Sequence, residues 1–189
     1  MDKRKEKTNK IIKDTLIVLA KKHPINQLSV KQVCEEADIN RGTFYLHYRS
    51  MKVLINKIES EIIENIKDIL KSHFKEGRFN YRVAMIMLSD YIKEEKDFIK
   101  VMIGKNGDIT FIPKITNEIE TLFIRSQNIP DDDYLMASVC NFMVGGTLSI
   151  YQKWINNDCL DDVYSLISPF GFSFFALYRQ SKKFKSMME

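Results

Sequence analysis

The stretch Leu28-Ser-Val-Lys-Gln-Val-Cys-Glu-Glu-Ala-Asp-Ile-Asn-Arg-Gly-Thr-Phe-Tyr-Leu-His-Tyr-Arg-Ser-Met-Lys-Val-Leu54 decides the fold. It reads as two short helices, a tight turn between them, and the start of a long helix. Ser29 with Gln32 three residues on has the form of a capping box, opening a helix over about 30–36. Asp38 stands in the turn, where the left-handed conformation is needed and glycine is the usual choice. Asn40 reads as a second N-cap, and the helix it opens runs from Arg41 to about Tyr48. Phe44, with Ile39 and Tyr48, is expected to pack inward. That leaves Arg41, Thr43, Tyr45 and His47 facing solvent, a set of donors suited to phosphates and to base edges in a DNA major groove.

The charge distribution agrees with that reading. The whole chain of 189 residues carries a net charge of +4. Residues 1–52 hold 12 Lys and Arg against 6 Asp and Glu, and the remainder is slightly acidic. A basic excess confined to the N-terminal quarter, where the helix-turn-helix pattern also lies, favours a phosphate-facing surface over an ordinary solvated charge run.

Outward from this stretch, everything reads as helix. Gly (7) and Pro (4) are scarce, and no long run alternates apolar and polar residues, which points to an all-α fold of about nine helices. A first helix is expected over 5–22, ended by His23-Pro24. Ser50 is expected to cap a fourth, from Met51 to about His73, with Leu54, Ile55, Ile58, Ile62, Ile66, Ile69 and Leu70 on one face. Five more are expected over 81–94, 96–103, 109–126, 132–156 and 160–183. The domain reading is residues 1–50 for the helix-turn-helix domain, 51–75 for a connecting helix four, and 76–189 for a second helical domain.

The last two helices are apolar over more than one stripe, so one face is expected to meet the core and another a second copy of the chain. Gly145 and Gly146 in mid-helix would let two helices approach closely. Ile150, Phe170, Phe174 and Leu177 complete the expected dimer interface.

The three cysteines are odd in number, widely spaced and without a C-x-x-C pair, which suits a reduced, cytoplasmic protein using them as small apolar residues. The charged N-terminus fits no signal peptide, and no membrane span is expected. His23, His47 and His73 form no ligand pair, so no metal is expected. No nucleophile–base arrangement and no Gly-rich phosphate loop can be built, so neither catalysis nor a cofactor is expected. Glu59, Glu61, Glu64 and the run Asp131-Asp-Asp133 read as solvated helix faces or caps.

The stretch from Val30 to Ser50, and its Arg41-Gly-Thr-Phe-Tyr core above all, resembles the DNA-binding signature of the tetracycline-repressor (TetR) family of bacterial regulators. The match is detailed over about 8–58; beyond it only the helical architecture agrees. The resemblance implies an N-terminal DNA-binding domain and a C-terminal ligand-binding and dimerisation domain. It implies a homodimer on a double-stranded, palindromic DNA operator, released by a small-molecule effector, apolar or amphipathic, in the C-terminal domain. A dimeric protein-binding coregulator with a non-functional head is the alternative.

In this reading Arg41 reads guanine or clamps a phosphate, and Thr43 bonds a phosphate or touches a thymine methyl. Tyr45 and His47 reach phosphates, and Ser29 and Lys31 contact them from the N-terminus of the second helix. Asn40 and Gly42 bring the recognition helix close to the DNA backbone. The family usually has Gly at position 38 and Lys at position 51. Here Asp38 and Met51 stand there, and Arg49 or Lys52 takes over the phosphate contact. The effector pocket is expected among Phe98, Met102, Phe111, Phe123, Phe142, Met143, Tyr151 and Trp154, any of which has plain core packing as its rival role.

Overall fold

The computed structural model describes residues 3–75 and 78–163, and beyond them residues 165, 167, 180 and 187. Eight α-helices form among these residues. They are α1 (Lys3–Ala20), α2 (Val30–Glu36), α3 (Arg41–His47), α4 (Met51–Ser72), α5 (Tyr81–Glu94), α6 (Lys96–Ile103), α7 (Phe111–Ser126) and α8 (Tyr134–Asn156). A 3-10 turn at Ile25–Gln27 and a two-residue antiparallel pairing, β1 (Phe74–Lys75) with β2 (Arg78–Phe79), complete the described chain. The all-α class is as expected. Of the ninth helix expected over 160–183, residues 163, 165, 167 and 180 are described and are helical, while most of the rest, with Phe170, Phe174 and Leu177, lies outside the described residues.

Two compact units form: residues 1–62 with 97–111, and residues 63–96 with 112–189. The sequence reading cut the chain at 50 and 75 instead. The difference has two causes. Helix α4 is unbroken, so each unit takes part of it. And α6 with its following loop belongs to the first unit, where the Ile25 N–H donates to the Asn106 carbonyl at 2.7 Å.

In the first unit α1 packs on α2 and α3. Its core joins Ile12, Leu16, Val33, Phe44, Leu54 and Ile58, all buried. Both helix starts are built as the sequence predicts. The Ser29 hydroxyl accepts from the Gln32 N–H, and the Gln32 side chain accepts from the Ser29 N–H at 2.9 Å, closing the capping box. The Asn40 Oδ1 accepts from the Thr43 N–H at 2.7 Å, and the Ser50 hydroxyl accepts from the Val53 N–H at 3.2 Å. Asp38 sits at φ 50°, in the left-handed region. The Ile39 N–H then bonds back to the Cys34 carbonyl at 3.0 Å and ends α2. An L-residue is strained there, so Asp38→Gly is expected to raise stability by about 1 kcal/mol. A urea midpoint that stays put or falls would contradict this.

One carboxylate departs from expectation. Glu59 is buried instead of lying on a solvated face. It follows Ile58 and sits one helical turn from Ile55, Ile62 and Ile63, within the apolar arc of α4. Glu61, as an exposed-side residue should, forms an ion pair with Lys13.

The second unit buries Ile66 and Leu70 of α4 with Met85, Leu88, Ile119, Phe123, Val144 and Trp154. Stacked Phe74 and Phe79 rings, 4.5 Å apart, both meet Phe123 edge-on at 5.1 Å, which explains why this short segment pairs. The Lys67 ammonium bonds Glu64 at 2.8 Å and Glu118 at 2.6 Å, tying α4 to α7, and these hydrogen bonds raise its pKa. Asp133 is a buried N-cap of α8. Cys34 and Cys140 are buried free thiols. Burial first, then Glu120, pushes Cys140 up to about 11, which suits a small apolar residue.

Helix α8 is long and apolar enough to cross a bilayer by length and composition alone, a test that a core helix also passes. It is 23 residues long, and an 18-residue stretch of it has mean hydropathy 1.2. No charged residue stands between Tyr134 and Gln152. Tyr151 and Trp154 of the same helix are nonetheless built into the second unit. The Tyr151 hydroxyl meets Ser89 Oγ at 3.0 Å, and the Trp154 Nε1–H donates to the Asp161 carbonyl at 2.8 Å.

Candidate nucleic-acid interface

Helix α3 presents its outer face because Phe44 and Tyr48 hold the inner one. Phe44 meets Tyr45 edge-on at 5.8 Å and Tyr48 at 5.9 Å. Arg41, Gly42, Tyr45 and Leu46 are exposed, and Thr43 and His47 are half-buried. The predicted donors therefore share one short helix and one surface.

Their local bonding sorts them. Arg41 is exposed and close enough to Cys34 to favour its thiolate, although burial outweighs this and raises the thiol. Tyr45 keeps 54% of its surface in solvent. The Thr43 hydroxyl donates to Asn40 Oδ1 at 3.0 Å, so Asn40 holds both the backbone and the side chain of Thr43. A Cβ at Gly42 would lie 3.2 Å from that same Oδ1, so glycine here keeps the cap unobstructed. Ser29 is exposed but engaged in its capping box. Lys31 reaches Glu35 at 3.7 Å, an exposed i,i+4 pair weak enough to yield to a phosphate. Arg49 and Lys52 are exposed on either side of half-buried Met51.

His47 is bonded within the first unit. Its Nδ1 lies 2.6 Å from Asn9 Oδ1 of α1, so Nδ1 carries the proton and donates. Burial, then the charges of Lys5 and Lys57, hold its pKa below the usual 6.5. The neutral ring then has a bare Nε2, which accepts a hydrogen bond and offers no donor to a phosphate. In that state His47 ties α3 to α1. Its protonation opposes folding. The stability it contributes is full above pH 6.5 and is lost as pH falls through the lowered folded value. We expect His47→Gln to flatten the fall in urea midpoint between pH 7.5 and pH 5. An unchanged slope would contradict this.

Sequence reading missed three residues of this surface. Lys5 and Lys57 lie near enough to act on His47 and extend the basic face, with the Lys57 ammonium 5.5 Å from the Tyr48 ring centre. Their signal was charge alone, outside the helix-turn-helix stretch itself. Leu46 was passed over because it carries no donor.

The second unit holds a cavity of about 50 Å³, lined by Leu70, Tyr81, Met85, Leu88, Ile119, Phe123, Met143, Val144, Thr147, Leu148 and Tyr151. Of the eight residues expected there, Phe123, Met143 and Tyr151 are present. Phe98, Met102 and Phe111 are buried in the first unit, which takes α6, the loop after it and the first residue of α7. Trp154 is buried beyond Tyr151 and does not line the space. Phe142 is 69% exposed: it is next to inward-facing Met143 and so points about 100° away. Phe142 instead joins Leu135, Gly145 and Gly146 on an open face of α8, where added Cβ atoms at the two glycines would meet nothing. Ile150 is half-buried at the edge of that face. Among the described residues no group of three or more His, Cys, Asp or Glu is placed to hold a metal ion.

Two family models match the chain. Residues 12–58 match the bacterial regulatory proteins of the tetR family, and residues 80–168 match a transcriptional regulator C-terminal region. The chain belongs to the TetR family of transcriptional regulators. The curated sequences include an uncharacterised HTH-type transcriptional regulator, YuxN of Bacillus subtilis (strain 168). It is 31% identical over 153 residues, 79% of this chain and 47% of that protein, so the chain spans about half its length. The transcriptional activator of the dhaKLM operon in Lactococcus lactis subsp. lactis (strain IL1403), DhaS, is 23% identical over 85% of this chain and 86% of its own. Among solved structures, a TetR transcriptional regulator from Streptococcus agalactiae 2603V superposes with a TM-score of 0.62 at 20% identity. That match covers 89% of this chain and 94% of that one, and establishes the shared fold. The motif from Val30 to Ser50 lies within the matched N-terminal region of the TetR family.

Proposed function

We propose that this TetR-family regulator binds a palindromic DNA operator sequence-specifically as a homodimer and acts as a ligand-responsive repressor in the cytoplasm. The observation that carries the reading is the outer face of α3. There Arg41 and Tyr45 stand exposed on a helix whose start is capped and whose inner face is anchored by Phe44. Two such heads would enter successive major grooves about 34–36 Å apart. The open face of α8, with Phe142, Gly145 and Gly146, supports pairing with a second copy.

The cavity of the second unit supports an apolar or amphipathic effector. At about 50 Å³ it is smaller than the ~150 Å³ cavity that admits benzene in an engineered protein. A ligand must therefore displace side chains, and the unbranched Met85 and Met143 are the ones best able to move. Such a ligand shifts operator binding only if it binds the two states of the dimer with different affinity.

Arg41→Ala tests the reading. Against a duplex selected by the wild-type protein, affinity is expected to fall about 10- to 100-fold, with a smaller loss on random DNA. Equal losses on both would reduce Arg41 to a phosphate contact. No loss on either would place the interface elsewhere.

A further inference from the structure

On an α-helix each residue turns about 100° from the last. With Phe44 pointing into the core, Gly42 and Leu46 therefore lie closest to the direction pointing straight out, each about 160° from Phe44. Arg41 and Tyr45 flank that line on one side, Thr43 and His47 on the other. The ridge of the recognition helix is thus an apolar side chain, with polar residues to its left and right. Leu46 is 80% exposed, and the residue one turn before it, Gly42, has no side chain to hold the helix off a surface.

A leucine can make no hydrogen bond to a base. In the major groove the one apolar feature of the four bases is the 5-methyl group of thymine. We propose that Leu46 is a specificity-determining residue that packs on a thymine methyl, selecting a T·A pair at the centre of each half-site. This rests on the DNA-binding reading above and adds to it a base preference that no donor on the helix would give. The isolated exposed leucines of protein surfaces need no such account. Leu46 differs in lying at the midline of a capped helix between exposed Arg41 and Tyr45 on one side and Thr43 and His47 on the other.

The test uses the full chain. Duplexes are selected from a random pool by the wild-type protein. Each thymine of the winning site is then replaced in turn by deoxyuridine, which removes the methyl group and leaves base pairing intact. Affinities are measured by fluorescence anisotropy for the wild type and for Leu46→Ala, whose exposed position leaves the core untouched. One thymine per half-site is expected to lose about fourfold in wild-type affinity on losing its methyl, the scale of one buried methylene. Changing both half-sites should cost about fifteenfold. Leu46→Ala should bind methylated and unmethylated duplexes equally well.

If a site is selected but no methyl matters more to the wild type than to Leu46→Ala, the assignment is overturned and DNA binding stands. If no site is enriched, the DNA-binding reading fails and the assignment with it.

Discussion

Gly107→Ala is expected to destabilise the first unit by about 3 kcal/mol, at the upper end for forcing one extra carbon into a packed site. An alanine Cβ there would lie 2.0 Å from the Met102 carbonyl oxygen, 2.5 Å from its carbon and 2.6 Å from the Val101 oxygen. These are backbone atoms at the end of α6, so no side chain can swing away to make room. The loop must move instead, and it has little freedom. The Gly107 N–H donates to the Gly104 carbonyl at 2.9 Å, and the adjacent Asn106 carbonyl accepts from Ile25 at 2.7 Å. Displacing the loop therefore loosens the connection between α1 and α2. A loss of that size is a large fraction of the 5–15 kcal/mol typical of a whole domain. Urea unfolding followed by circular dichroism gives the number. A change within 0.5 kcal/mol would show that the loop accommodates the methyl group and that this packing is not needed.

Phe44→Ala is expected to cost about 3–5 kcal/mol, the range for removing a buried aromatic ring. Phe44 is fully buried and holds Tyr45 and Tyr48 by ring contacts, so its loss also frees the helix that carries the interface. DNA binding should disappear with the fold. Two residues further on, Leu46→Ala should change stability by no more than about 0.5 kcal/mol. The same chemical change on opposite faces of seven residues would thus separate folding from recognition. Equal stability losses in the two variants would mean that α3 is oriented differently from the arrangement described.

Much of this architecture can be read from short-range signals. Ser29 with Gln32, Asn40 with Thr43, and Ser50 with Val53 act within three residues, so their capping roles follow from local chemistry. Asp38 was legible as a left-handed position because α2 had to end there. The isoleucine spacing of α4 likewise revealed its buried face. What escaped depends on distant packing. Nothing in the apolar residues of α6 or at the start of α7 says which core they join, so Phe98, Met102 and Phe111 went to the wrong unit. Helix α8 is apolar nearly all round, so periodicity could not tell inward Met143 from outward Phe142. Glu59 was misread because its charge was weighed before its position between Ile55 and Ile62. Leu46 was passed over because the outer face was read by its hydrogen-bonding groups, and leucine has none. The hydrogen bond of His47 to Asn9, 38 residues earlier, was equally beyond local signals.

The central claim is that the first unit recognises a particular DNA sequence through phosphate and base contacts. Fluorescence anisotropy of the wild-type protein tests it most directly, using a selected duplex and its scrambled counterpart at 50 and 200 mM salt. The account predicts tighter binding to the selected duplex, and a loss of about 1,000-fold or more across that salt range if at least six phosphates are contacted. Equal, weak binding to both duplexes at both salt concentrations would contradict it.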